Sequence, residues 1–292
     1  MHGGQQDYCP FSFFNSWTIL GEPLHDLRVE KVENGVDLAR RLAEEEEGIG
    51  RKPAGWQKYL IPVIAFCWSM FQLSIASWLI LDTTYIRAVH LAFAMAIIFL
   101  NYPLLRKPFF GIRYFSRHDT IPLLDILIAA VAAYCSLYII LDYEGIVTRY
   151  GAPSTQDSVT GVLLVILLLE AARRTIGTAL PFIATCFIIY AFLGPYMPDL
   201  IAFKGTSLNR FVGQMTMSTE GIYGIPLDVS ATIVFLFVLF GAMLDKAGAG
   251  HYFIQLALSI LGGFKGGPAK AAIMGSGLTG LVSGSSIANI VT

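Results

Sequence analysis

The residues best equipped for chemistry are the run Ser283-Gly284-Ser285-Ser286, inside the uncharged stretch that ends the sequence. From Pro268 to Thr292 the chain reads PAKAAIMGSGLTGLVSGSSIANIVT, and no charge occurs for 22 residues after Lys270. That length crosses or deeply enters a hydrocarbon core about 30 Å thick. Yet 14 of the 25 residues are Gly, Ala, Ser or Thr, where a lipid-facing helix favours Leu, Ile, Val and Phe. Glycine's freedom and serine's competition for backbone partners make residues 283–286 a poor place for a continuous helix. Backbone broken at membrane depth persists only where protein buries it or where it lines a polar cavity. Such a break offers carbonyls and hydroxyls to a cation, and a helix N-terminus to an anion. The same composition suits a tightly packed helix contact, and the stretch alone leaves both readings open.

The elements that must carry this stretch are apolar helices. The composition is 55% hydrophobic and 14% charged, against about 25% charged in soluble chains, and the mean hydropathy is +0.61. An all-α, polytopic membrane protein follows. A net charge of −1 with no basic stripe excludes nucleic acid as a partner. Cys9, Cys67, Cys135 and Cys186 are too dispersed for a zinc site or a disulfide framework. No Walker loop, dinucleotide fingerprint, HExxH pair or nucleophile elbow occurs. The chain therefore reads as neither an enzyme nor a cofactor binder, and any transport it performs needs an ion gradient or a separate ATPase.

Hydropathy predicts spans at 60–81, 88–105, 121–141, 158–169, 175–197 and 229–244, with 252–264 too short to cross upright. Residues 1–57 read as a polar tail, and 198–228 as a loop or surface-lying segment around Leu208, Phe211, Val212 and Met215. Asp125 is expected at the interface in a structural role. Glu170 is expected to pair with Arg173 or Arg174 at i,i+3 or i,i+4. Glu220 and Asp228 read as solvated loop acids. Lys and Arg number seven before the first span, then one, four and one in the next three loops. This alternation places the N-terminus in the cytoplasm.

Four segments carry a family likeness: EAARRTIGTALPFI (170–183), STEGIYGIPLDVSATIVFLFVLFGAML (218–244), DKAGAGHYFIQLAL (245–258) and GGPAKAAIMGSGLTGLVSGSSIANIVT (266–292). They resemble the permeases of tripartite ATP-independent periplasmic (TRAP) transporters, above all the fused 4TM/12TM type of the TAXI subfamily. The resemblance covers about residues 60–292 and is most specific from 218 onward. It implies a sodium-driven secondary importer of the bacterial inner membrane, served by a periplasmic TAXI-type solute-binding protein and taking up an organic anion of the carboxylate class. It also implies a four-helix scaffold over 58–170 and an elevator-type transport domain from 171, whose first re-entrant hairpin is 268–292. Carried over residue by residue, it assigns Ser283, Gly284, Ser286 and Asn289 to the sodium ion. Ser285, Ser286 and Asn289 are assigned to the substrate. Oxygen donors suit a hard cation, and N–H groups near 285–287 suit a carboxylate.

In that family a second, pseudo-symmetric hairpin completes the site, whereas this sequence ends at Thr292. The expectation is a fragment, inactive alone, whose further partners are membrane lipid and the remaining half of the transport domain. The competing expectation is a non-transporting membrane scaffold subunit.

Overall fold

The computed structural model describes residues 50–51, 53–104, 120–149, 151–198 and 200–283. All regular structure among them is helical. A 3-10 turn over Gly55–Tyr59 leads into α1 (Leu60–Ser77). Then come α2 (Thr83–Asn101), α3 (Leu123–Leu141), the short α4 (Tyr143–Thr148) and α5 (Thr155–Thr175). After these follow α6 (Ala179–Leu193), α7 (Leu208–Thr216), α8 (Ile225–Val229) and α9 (Phe235–Lys246). The last two are α10 (Ala249–Leu261) and α11 (Gly267–Ser283). Six stretches are long and apolar enough to cross a membrane: 55–77, 83–101, 123–141, 155–175, 179–196 and 225–244.

Local chemistry fixes the ends. Asp82 caps α2, its carboxylate accepting the Thr84 N–H at 2.8 Å, and that bond holds the acid below the usual carboxylate range. This cap starts α2 at Thr83, five residues ahead of the hydropathy boundary. Ser154 and Asp157 form a reciprocal capping box at the start of α5, and Asp157 is sealed further by the Tyr138 hydroxyl at 2.6 Å. The fourth span is therefore 21 residues long, where apolar length alone predicts only 158–169.

α2, α3 and α5 make the core. Ala88, Met95, Phe99, Ala132 and Leu164 are almost wholly buried within it. α1 lies on the outside and buries only Gln72. Phe66, Val63 and Met70 on its outer face are exposed, as lipid-facing residues are in a bilayer. α7 lies against α5 through Phe211, Val212 and Thr216. The approach needs Gly161, since a Cβ there would sit 2.6 Å from Val212 Cγ1. Leu208 and Met215, assigned by periodicity to the same apolar face, are exposed.

α10 and α11 form an antiparallel hairpin, so the segment too short to cross upright packs against a helix. Its seam is a stripe of small residues at four-residue spacing: Gly267, Ala271, Gly275 and Thr279, all buried. A Cβ on Gly275 would touch Ile254 at 3.4 Å, whereas one on Gly277 would meet nothing within 4 Å. The first half of the small-residue stretch thus serves close helix packing. Gly275→Leu is expected to destabilise the hairpin by about 1–3 kcal/mol through overpacking, while Gly277→Ala leaves it unchanged. Thermal unfolding of the two variants in detergent measures the contrast, and equal melting would remove the stripe from the seam.

Candidate functional site

α2 ends in exposed carbonyls that its own sequence cannot satisfy, because its last turn has no basic residue. Three arginines from elsewhere supply the donors. Arg51 Nη1 donates to Leu100 O at 3.3 Å, Arg174 Nη1 to Tyr102 O at 3.1 Å and Arg173 Nη2 to Leu104 O at 2.7 Å. Cations at a helix C-terminus also suit its dipole. The Arg174 guanidinium lies 4.8 Å over the Phe99 ring.

Two carboxylates balance these cations. Asp125, at the first turn of α3, is fully buried and pairs with Arg51 through Oδ2 and with Arg174 through Oδ1 at 3.0 Å. Glu170 takes Arg173 Nε at 2.7 Å and Arg174 Nε at 2.8 Å. The i,i+3 and i,i+4 pairs expected from sequence are both present. Asp125 stands in the first turn of its helix, where the sequence placed it, and is enclosed within the protein because the Arg51 segment folds back over it. The backbone N–H of Arg51 bonds Asn101 O at 2.8 Å, and Gln57 exchanges two hydrogen bonds with the Ile121 backbone. Neither Arg51 nor its tie to Asp125 is signalled by any spacing in the sequence.

A second polar seam joins α2 to the 218–234 segment. Arg87 Nε donates to Asp228 Oδ1 at 2.9 Å and Nη1 to Tyr223 O at 2.8 Å. Asp228 is thus a docking residue on α8 and not a solvated loop acid, because Arg87 faces it across the seam. Glu220, by contrast, is exposed, its carboxylate accepting from Gln214 Nε2 at 2.7 Å. Tyr223 is fully buried and donates to Ser136 O at 2.8 Å, and burial pushes its phenol pKa up.

Deeper along the same seam sits His90. The Trp68 indole N–H, which can only donate, points to Nδ1 at 3.3 Å. Nδ1 therefore accepts and the ring proton belongs to Nε2, which faces Ser230 Oγ at 3.3 Å. Gln72 Nε2 lies 2.6 Å from the same Nδ1. Ser230 opens a π-helical turn, Ser230–Val234, between α8 and α9. There the Phe235 N–H reaches five residues back to Ser230 O, and the Thr232 hydroxyl donates to the Asp228 carbonyl at 2.8 Å. Such turns concentrate at functional positions.

Of the residues assigned to ion and substrate, Ser283 closes α11, one more four-residue step beyond Thr279 along the small-residue stripe. Gly284, Ser285, Ser286 and Asn289 lie outside the described residues, as does the turn that would make 268–292 re-entrant. What positions Ser283 is therefore visible: the α10–α11 hairpin, with α9 packed against α11.

Comparison with known families gives one match. Residues 163–292 match the family model described as "Tripartite ATP-independent periplasmic transporter, DctM component". The match begins inside α5 and covers a little under half of the chain, so over that part the protein is similar to a TRAP permease component. No curated protein and no solved structure matches the chain.

The network at the end of α2 makes a ranked prediction. Asp125→Asn takes the counter-charge from buried Arg51 and one of two from Arg174, a loss of about 3–5 kcal/mol. Glu170→Gln, a quarter exposed and leaving Asp125 in place, costs under half of that. Chemical denaturation in detergent gives the order, and equal losses would contradict a shared role for Asp125.

Proposed function

We propose that this chain is the membrane permease component of a sodium-coupled, binding-protein-dependent secondary transporter importing an organic anion of the carboxylate class. The observation that carries the reading is the DctM match over 163–292. It coincides with the helices that lead, through the α10–α11 hairpin, into Gly284-Ser285-Ser286. Within this reading Ser283, Gly284, Ser286 and Asn289 hold sodium through hydroxyl, amide and carbonyl oxygens. Ser285, Ser286 and Asn289 border the carboxylate, helped by free N–H groups at a second half-helix N-terminus. Sodium is cargo here and not a resident cofactor. The fused 4TM/12TM architecture fits the four spans that precede the bulk of the matched region, and the TAXI type of partner rests on the sequence resemblance. On the same reading the protein sits in the bacterial inner membrane with its N-terminus and Arg-rich helix ends cytoplasmic, following the count of basic residues.

The buried seam between α2 and residues 223–230 bears on which parts move. Arg87, His90 and Ser136 fasten the start of the 225–244 span to the four-helix unit. In an alternating-access cycle, that span stays with the scaffold while the hairpin carries the cargo.

Right-side-out vesicles holding the complete permease are expected to accumulate substrate only with both a sodium gradient and the binding protein. Uptake driven as well by a proton gradient alone would overturn sodium coupling. Ser286→Ala in the same protein is expected to raise the sodium concentration needed for half-maximal uptake without lowering expression. An unchanged sodium requirement would take that hydroxyl out of the site.

A further inference from the structure

Between the last turns of α5 and the first turns of α6 lies an open cavity of about 320 Å³. Its polar wall is Glu170, Arg173, Thr178 and Thr185, and its apolar wall includes Ile166 and Phe182. Ile166 and Phe182 are both exposed, as are Ile176 and Ile183 beside them, so the cavity opens on the apolar outer surface. It also lies at the end of the span, next to the arginine network. A cavity apolar toward the membrane interior and cationic at the rim matches one class of molecule. We propose that it holds an anionic phospholipid, its phosphate against Arg173 and Thr178 and one acyl chain along Ile166 and Phe182.

Charge supports this occupant. Among the described residues the network holds three guanidiniums against two carboxylates, which leaves one positive charge over. Leu104, whose carbonyl Arg173 holds, leads in sequence into Arg106, Lys107, Arg113 and Arg117, with Asp119 the only acid before Thr120. Basic pockets between spans at such ends recognise anionic headgroups. Glu170 is shared by Arg173 and Arg174, and because it holds Arg173 through Nε and Nη2, the phosphate meets the remaining Nη1 of Arg173. Thr178 precedes α6 with its hydroxyl uncommitted to capping, leaving it and the first N–H groups of that helix to serve the phosphate.

Native mass spectrometry of the full chain, purified from membranes in detergent, tests the assignment. Phosphatidylglycerol, phosphatidylcholine and inorganic phosphate are added separately. One phosphatidylglycerol is expected to be retained per chain, roughly fivefold more strongly than phosphatidylcholine, the weight of one basic side chain at an anionic surface. Inorganic phosphate is expected not to displace it. Arg173→Gln removes the phosphate contact and is expected to abolish the preference between the lipids. Because Arg173 also holds Leu104, Ile166→Trp is the control: it fills the cavity from an exposed position, leaves every ion pair intact and is expected to reduce retention of both lipids. Equal retention of the two lipids by the unaltered chain, displacement by inorganic phosphate, full retention in Ile166→Trp, or a second copy of the chain in place of lipid would each overturn the proposal.

Discussion

Asp125 is the constraint on which the arrangement of the spans depends. Buried away from water, a stray carbonyl or an unpaired charge is costly, so the end of α2, the start of α3 and the end of α5 must solve their polar problem together. The carbonyls at the end of α2 need donors, and the arginines that supply them need an anion. One carboxylate, accepting from Arg51 and Arg174 on its two oxygens, closes that circuit. Buried ion pairs are weak sources of net stability, but removing one partner is costly. The network therefore acts chiefly as a registry device, permitting one relative placement of α2, α3, α5 and the segment before α1.

At the far ends of the same helices a second set of polar contacts has the same logic. Asp157 gathers the Ser154 cap, the Tyr138 hydroxyl and the exposed Arg149. Arg87 gathers Asp228 and the Tyr223 carbonyl. Between the two ends, His90 joins α1, α2 and the π-helical turn through Trp68, Gln72 and Ser230. The four-helix unit is thus pinned at both ends, and residues 223–230, within the DctM-matched portion, are pinned to it. The α10–α11 hairpin has a different character. Its seam is small residues, with no ion pair across it among the described residues, a contact that holds by close van der Waals approach.

Much of this was legible before any coordinates. Charge-free length located the spans, and i,i+3 and i,i+4 spacing located the Glu170 pairs, because both are local properties of a helix. Boundaries shifted where a cap decided them, as at Asp82 and Ser154, since capping chemistry adds polar residues that hydropathy discards. The partners of Asp125 and Asp228 were not legible: Arg51 and Arg87 lie 74 and 141 residues away, and no period links them. Small residues in 268–292 signalled a special stretch without separating packing from ligation. The described part, Gly267 to Thr279, packs. Leu208 and Met215 share the apolar side of α7 with Phe211 and Val212, as periodicity places them, and stay exposed because only part of that side meets α5.

On the proposed sodium-coupled function, the backbone opens around Gly284 within the membrane and presents oxygen atoms to the ion. Substituted-cysteine labelling at Ser285→Cys, in the complete permease with its native cysteines replaced, addresses it directly. The account predicts that a water-soluble maleimide reaches this position, and that sodium, but not potassium, slows the reaction. A position closed to the reagent, or labelled at one rate in both salts, would contradict it.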